Sequence, residues 1–163
     1  MRDALRELAR FGPQSVSVEA ELLRALREVA AEKRIPAFQT VLDADAAAPD
    51  SSHWKNLGQL VQLAVQRVED AIAGAATDGS TALATELGPL ARYRSVGVLE
   101  RLRDRVGARG PQGLHGVWAL VADDGNSERP VLDGVTVPVL PGQWVRLTRA
   151  FLENTHRSAE AAS

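Results

Sequence analysis

This sequence predicts an α/β fold, a small and mostly parallel sheet covered by helices, and three observations lead there. Two apolar strands, near 81–86 and 114–122, flank one amphipathic helix, an order that implies a right-handed parallel crossover. Asp133-Gly134, set between PVL and VTVPV, marks a two-residue hairpin over 131–139. Ahead of the first strand, apolar residues recur at helical spacing over several segments.

Residues 2–11 place Leu5, Leu8 and Phe11 on one helical face, and Gly12-Pro13 ends that segment. Ser17 is the expected N-cap of the next helix, with Glu19 and Glu21 where the helix dipole favours acids. This helix runs to about Arg34 and buries Leu22, Leu23, Leu26, Val29 and Ala30. Pro36 suits a first helical position, so 36–42 reads as a short helix, with a short apolar strand as the alternative. An Ala/Asp/Pro/Ser-rich connection over 43–52 follows. Ser51 or Ser52 then caps a long helix through Trp54, Leu57, Leu60, Val61, Leu63, Ala64, Val68 and Ile72. Gly74 to Ser80 breaks it.

Thr81 to Glu86 is a short buried strand, and Gly88-Pro89 turns the chain into one further helix. Leu90, Val98, Leu99, Leu102 and Val106 are its inward residues, and 107–113 is a loop. The run LHGVWALVA, 114–122, is continuously apolar and rich in Val, as a central strand covered on both faces would be. Pro138 and Pro141 confine the hairpin to an edge. A closing helix is expected near 142–154. The expected unit is one α/β domain over 1–157, with a polar tail at 158–163. The chain opens on a helix where an α/β domain often supplies a strand, so either the sheet is small or this is a piece of a larger protein.

The composition narrows the function classes. The absence of cysteine excludes a disulfide framework, a thiol nucleophile and thiolate metal or iron–sulfur sites. A net charge of −2 over 163 residues does not indicate a dedicated nucleic-acid binder. Only Lys33 and Lys55 are lysines among nineteen basic residues, a bias as consistent with a GC-rich coding sequence as with anion recognition. No apolar run reaches the roughly 18 residues of a membrane span, and the N-terminal helix mixes acids with its arginines, unlike a signal or transit peptide. The expectation is a soluble, cytoplasmic protein with no membrane partner.

Most chemical signatures have a cheaper structural reading. VWALVADD, 117–124, has the form of a Walker B strand, but no GxxxxGK[ST] cradle accompanies it. Asp123-Asp124-Gly125-Asn126 is equally good turn chemistry. His53, His115 and His156 share no metal-ligand spacing; His115 reads as a core or edge imidazole and the other two as surface residues. Asp43, Asp45, Asp50 and Ser51 form an acidic cluster that helix termination and capping explain. Ser52-His53 lacks a GxSxG elbow, and kinase HRD, DFG and glycine-loop signatures are absent. No catalytic residue, metal or cofactor is expected.

Two places stand out. Arg92, Tyr93 and Arg94 follow the carboxyl end of the first strand, where α/β proteins place ligands, and two guanidiniums around the only tyrosine suit a phosphate or a carboxylate. The structural alternative packs Tyr93 with its hydroxyl at the rim while both arginines snorkel. Near the C-terminus, Trp144, Val145, Leu147, Phe151 and Leu152 outnumber what one buried face needs, and an exposed apolar patch there would mark a partner surface.

Several linked pieces carry a family resemblance: ADAAAPDSSHWKNLGQLV with its W-x-N-L helix, TELGPLARY, VLERLRDRVG, LHGVWALVADD with G-x-W-x-L-V, and the closing PVLDGVTVPVLPGQWVRLTRAFLENTHR. Together they resemble the C-terminal, non-kinase region of PglW-type serine/threonine kinases of bacterial phage defence (phage growth limitation, or type-two BREX), over roughly 16–157. The family precedes this region with a strand and, far upstream, a kinase domain, neither of which is expected here. TALATE is also more polar than the family's first strand, so a stand-alone fragment, a split product or a decayed remnant are the expectations. The resemblance implies a non-catalytic interaction or scaffold domain with other phage-defence proteins as partners, docking through Trp144 and Phe151. The alternative is a domain sensing a nucleotide or phosphorylated signal near Arg92, Tyr93 and Arg94.

Overall fold

A computed structural model describes residues 2–49, 51–123, 125 and 127–153. The expectations for Asp50, Asp124, Asn126, His156 and the 158–163 tail lie outside those residues. The order is α1 (Arg2–Ala9), β1 (Gln14–Ser17), α2 (Val18–Glu32), α3 (Gln39–Ala46), α4 (Ser52–Ala75), β2 (Thr81–Thr85), α5 (Gly88–Arg92), α6 (Gly97–Arg105), β3 (Gly116–Ala119), β4 (Val131–Leu132), β5 (Val135–Thr136) and α7 (Arg149–Glu153).

The sheet has three strands in the order β1-β2-β3, all parallel. This is the small parallel α/β sheet that the pattern predicts, with one strand added. QSVS carries a single apolar residue and β1 is only four residues long, so no alternation announces it. Its role is visible only through its partner, since Gln14, Ser15, Val16 and Ser17 align with Ala82, Leu83, Ala84 and Thr85. The expectation that no strand precedes the long helices is therefore corrected.

Strand alternation assigns each side chain a face. On one face Val16, Ala84 and Ala119 line up, as do Ala82 and Val117. Ala82 and Ala84 are fully buried there, in one core cluster with α2 and α4 residues. Small side chains on the central strand let a helix approach closely. On the other face Ser15, Leu83 and Trp118 line up. Leu83 is buried, and Phe11 meets Trp118 edge-on with ring centroids 6.0 Å apart.

Helix α2 starts where its cap chemistry predicts: Ser17 Oγ accepts from Ala20 N at 3.1 Å and donates to Glu86. Val18, Leu22, Ala25, Leu26, Val29 and Ala30 are its buried stripe, whereas Leu23 is exposed. Helix α4 is capped by Ser51, whose Oγ accepts from Trp54 N at 3.1 Å. Its fully buried Leu57, Val61, Val68 and Ile72 are each worth about 1.5–3 kcal/mol against solvent exposure. Arg67 of α4 clamps Glu28 and Glu32 of α2 along the seam, at 3.0 and 2.6 Å. Leu63, expected inward, is exposed.

Other boundaries move. Helix α3 begins at Gln39, three residues after Pro36, and continues through Asp43 and Asp45 to Ala46. The helix expected from Gly88 to Val106 is two helices, α5 and α6, because Arg94 takes a left-handed conformation with φ of 54°. Strand β3 covers 116–119 rather than 114–122, and it is an edge strand rather than a central one. The hairpin turns at Asp133 and Gly134, both at positive φ as the two-residue turn requires, but it is its own two-stranded ribbon. Leu132 and Val137 bury into the main core, and Arg103 Nη1 donates to Pro138 O at 3.0 Å, so the ribbon is pinned to α6. The closing helix is only 149–153. None of the described helices is long and apolar enough to cross a membrane.

Candidate functional site

Three helices meet at the carboxyl end of β2. Helix α5 carries Arg92 in its last turn, Tyr93 caps it, α3 contributes Asp45, and the first turns of α4 contribute Trp54. Arg92 donates from Nε and Nη2 to Asp45 Oδ1, at 3.2 and 2.9 Å, and from Nη2 to the Asp45 carbonyl at 3.3 Å. Tyr93 donates its hydroxyl to the same Oδ1 at 2.8 Å. The guanidinium carbon also lies 5.7 Å from the centres of both the Trp54 and Tyr93 rings.

Each group answers another. The hydrogen bond to Asp45 raises the Arg92 pKa above its ordinary value. Burial pushes the Tyr93 phenol up, and its hydrogen bond to the Asp45 carboxylate adds to the shift. Arg92 and Tyr93 thus have an internal anion already in their grip, and an incoming phosphate or carboxylate has to displace it. Arg94 stands apart: it is exposed and has no side-chain partner among the described residues. The residue that organises this cluster, Asp45, lies 47 positions from Arg92, and the local acidic cluster that marks it in the sequence does not point to Arg92 or Tyr93. The acidic pair Asp43 and Asp45 is accordingly not a loop cluster; Asp43 accepts from Gln39 Nε2 within α3 at 2.8 Å.

The second place is the C-terminal edge. Trp144, Leu140, Val145 and Phe151 are exposed, Val145 most of all at 79%, while Leu147 and Leu152 are partly covered. Trp144 lines a half-open cleft with Glu128, Arg129, Val139, Leu140 and Pro141. The segment is anchored on one side by Arg146, whose Nε lies 2.6 Å from Asp123 Oδ2. Asp123 also accepts from Gly125 N at 3.0 Å, the side-chain-to-backbone turn that its sequence suggests.

No three metal-ligating side chains converge among the described residues. His53 and His115 are both exposed, which removes His115 from the buried strand where the sequence places it.

Along 98% of its length the chain is 36% identical to a Streptomyces coelicolor protein described as "Probable kinase PglW". The chain spans about 10% of that relative's length, so what it matches is one region of a PglW kinase. No family model matches the chain, and no solved structure matches it.

Proposed function

From the likeness of nearly the whole chain to one region of a PglW kinase, we infer that this protein is a non-catalytic interaction domain of a Pgl-type phage-defence system, resembling the C-terminal region of its kinase. That likeness is the observation that carries the reading. The chemistry is consistent with it: the sequence holds no kinase, P-loop or triad motif, and Arg92 and Tyr93 are occupied by Asp45. The surface is consistent as well. Leu140 and Trp144 expose apolar area in the cleft that Glu128 and Arg129 also line, and Val145 and Phe151 are exposed further along the same C-terminal segment.

The test is co-purification with the cognate Pgl kinase and its companion defence proteins. Trp144→Ala together with Phe151→Ala should weaken that association by about tenfold or more, since large aromatics dominate interface energetics. The thermal midpoint of the isolated protein should not move. A wild-type protein that binds none of those components overturns the reading.

A further inference from the structure

The parallel sheet stops at β3, and the strand at which it stops has the sequence of an interior strand. Leu120 N donates to Ala84 O at 2.9 Å, and the register Gly116 to Thr81 through Ala119 to Ala84 continues in step. Alternation along a parallel ladder then turns the N–H and C=O of Gly116 and Trp118 toward β2 and those of Val117 and Ala119 outward. Among the described residues nothing pairs with β3 on that outer side, because the sheet order ends there and the hairpin forms a separate ribbon.

Native proteins guard such edges with lysine, proline, inward charge or a covering element. The run from Gly116 to Ala122 contains none of those residues. By contrast, the opposite edge strand, β1, is polar and directly follows Pro13. The flanks of the open edge are apolar on both faces. Trp118, met edge-on by Phe11, is exposed on one face, while Val117 packs against the core on the other. Val106, bridged to Leu114 at the foot of β3, is exposed too. Free backbone groups flanked by alternating apolar side chains are complementary to one kind of partner, an extended strand with apolar residues at alternate positions.

We propose that the outer edge of β3 is completed by an extended strand of the Pgl kinase polypeptide, which adds to Val117 and Ala119 as a fourth strand. This rests on the functional reading above, and the length of the matched relative, about ten times what this chain spans, supplies the polypeptide from which such a strand comes.

Proline substitution separates this edge from the fold. Val117→Pro and Ala119→Pro remove only outward N–H groups, which edge strands tolerate, whereas Trp118→Pro would break the ladder to β2. With purified full-length cognate kinase, amide hydrogen exchange at Val117 and Ala119 should slow by about tenfold or more on complex formation. Both proline variants should weaken binding by about tenfold with near-native far-ultraviolet circular dichroism. If either proline variant unfolds, Ala119→Lys keeps the backbone and places a charge on the edge, and should weaken binding in the same direction. Kinase binding with unchanged exchange at Val117 and Ala119 overturns the inference but leaves the functional reading standing. Absence of any binding by the wild type overturns both. Slowed exchange that follows this protein's own concentration, with no kinase present, makes a second copy the occupant and also overturns it.

Discussion

Tyr93 and Asp45 are joined by a 2.8 Å hydrogen bond that ties the end of α5 to α3 across 48 residues of chain. The same carboxylate oxygen holds Arg92, so one acid satisfies a phenol and a guanidinium at once. Asp45→Ala should therefore cost more than a surface ion pair. Hydrogen bonds to a charged group are worth about 1.5–3 kcal/mol, and the half-exposed Arg92 contributes only the lower end of that range once solvent screening is allowed for. We expect a loss of about 1–2 kcal/mol in urea unfolding. Tyr93→Phe, which keeps the ring beside Trp54, should cost less. An Asp45→Ala variant as stable as wild type would contradict this account of the site.

The raised Tyr93 pKa makes stability fall at alkaline pH. The folded state holds the phenol proton more tightly than an unfolded chain does, whose value is near 10.0. This contribution is complete below that value and is lost as pH rises through the higher folded value. Unfolding curves between about pH 8 and pH 11 should show the wild type losing an increment that Tyr93→Phe does not lose.

Acid sensitivity has a different source. The hydrogen bond from Arg24, followed by that from Arg67, holds Glu28 below its ordinary 4.5, so its contribution is present above that value and disappears as pH falls through the lower folded one. Glu28→Gln should flatten the acid limb of the stability profile by lowering stability in the neutral region, while leaving stability below the folded value nearly unchanged. An acid limb identical to wild type would show that the α2–α4 clamp contributes nothing to the pH dependence.

Two glycines should respond in opposite directions to alanine. A Cβ at Gly113 would lie 2.0 Å from the Ala108 carbonyl oxygen, a backbone atom that cannot swing away. Gly113→Ala should open the loop between α6 and β3 and destabilise by more than about 2 kcal/mol. Gly58, inside α4, has nothing within 4 Å of such a Cβ. There alanine should stabilise by about 0.5–1 kcal/mol, by lowering the entropy of the unfolded chain. Equal effects at the two positions in denaturant titrations would refute the packing argument.

Bulk on the central strand should not be tolerated. Ala84 is fully buried and belongs to the same core as the α2 and α4 stripes, so Ala84→Leu should cost about 1–3 kcal/mol by overpacking. Trp144→Ala, at an exposed position, should stay within about 0.5 kcal/mol of wild type. Thermal unfolding of the two variants checks both.

By itself the sequence determined what depends on neighbours along the chain. Ser17 caps its helix as its chemistry predicts, Ser51 is the cap among the two serines the sequence offers for α4, the α2 and α4 stripes are buried nearly as their spacing requires, and Asp133-Gly134 makes its turn. Those outcomes follow from backbone groups and side chains within a few residues of one another. What only the tertiary structure decided depends on partners far away. QSVS is a strand because Ala82 to Thr85 lie beside it, and GVWA is an edge strand because no strand among the described residues pairs with its outer side. Periodicity cannot tell a covered strand from one awaiting cover, since both need the same apolar faces. The site divides in the same way: Arg92 and Tyr93 were legible as a cation beside a phenol, but the carboxylate that engages them reaches the pair only through the packing of α3 against α4.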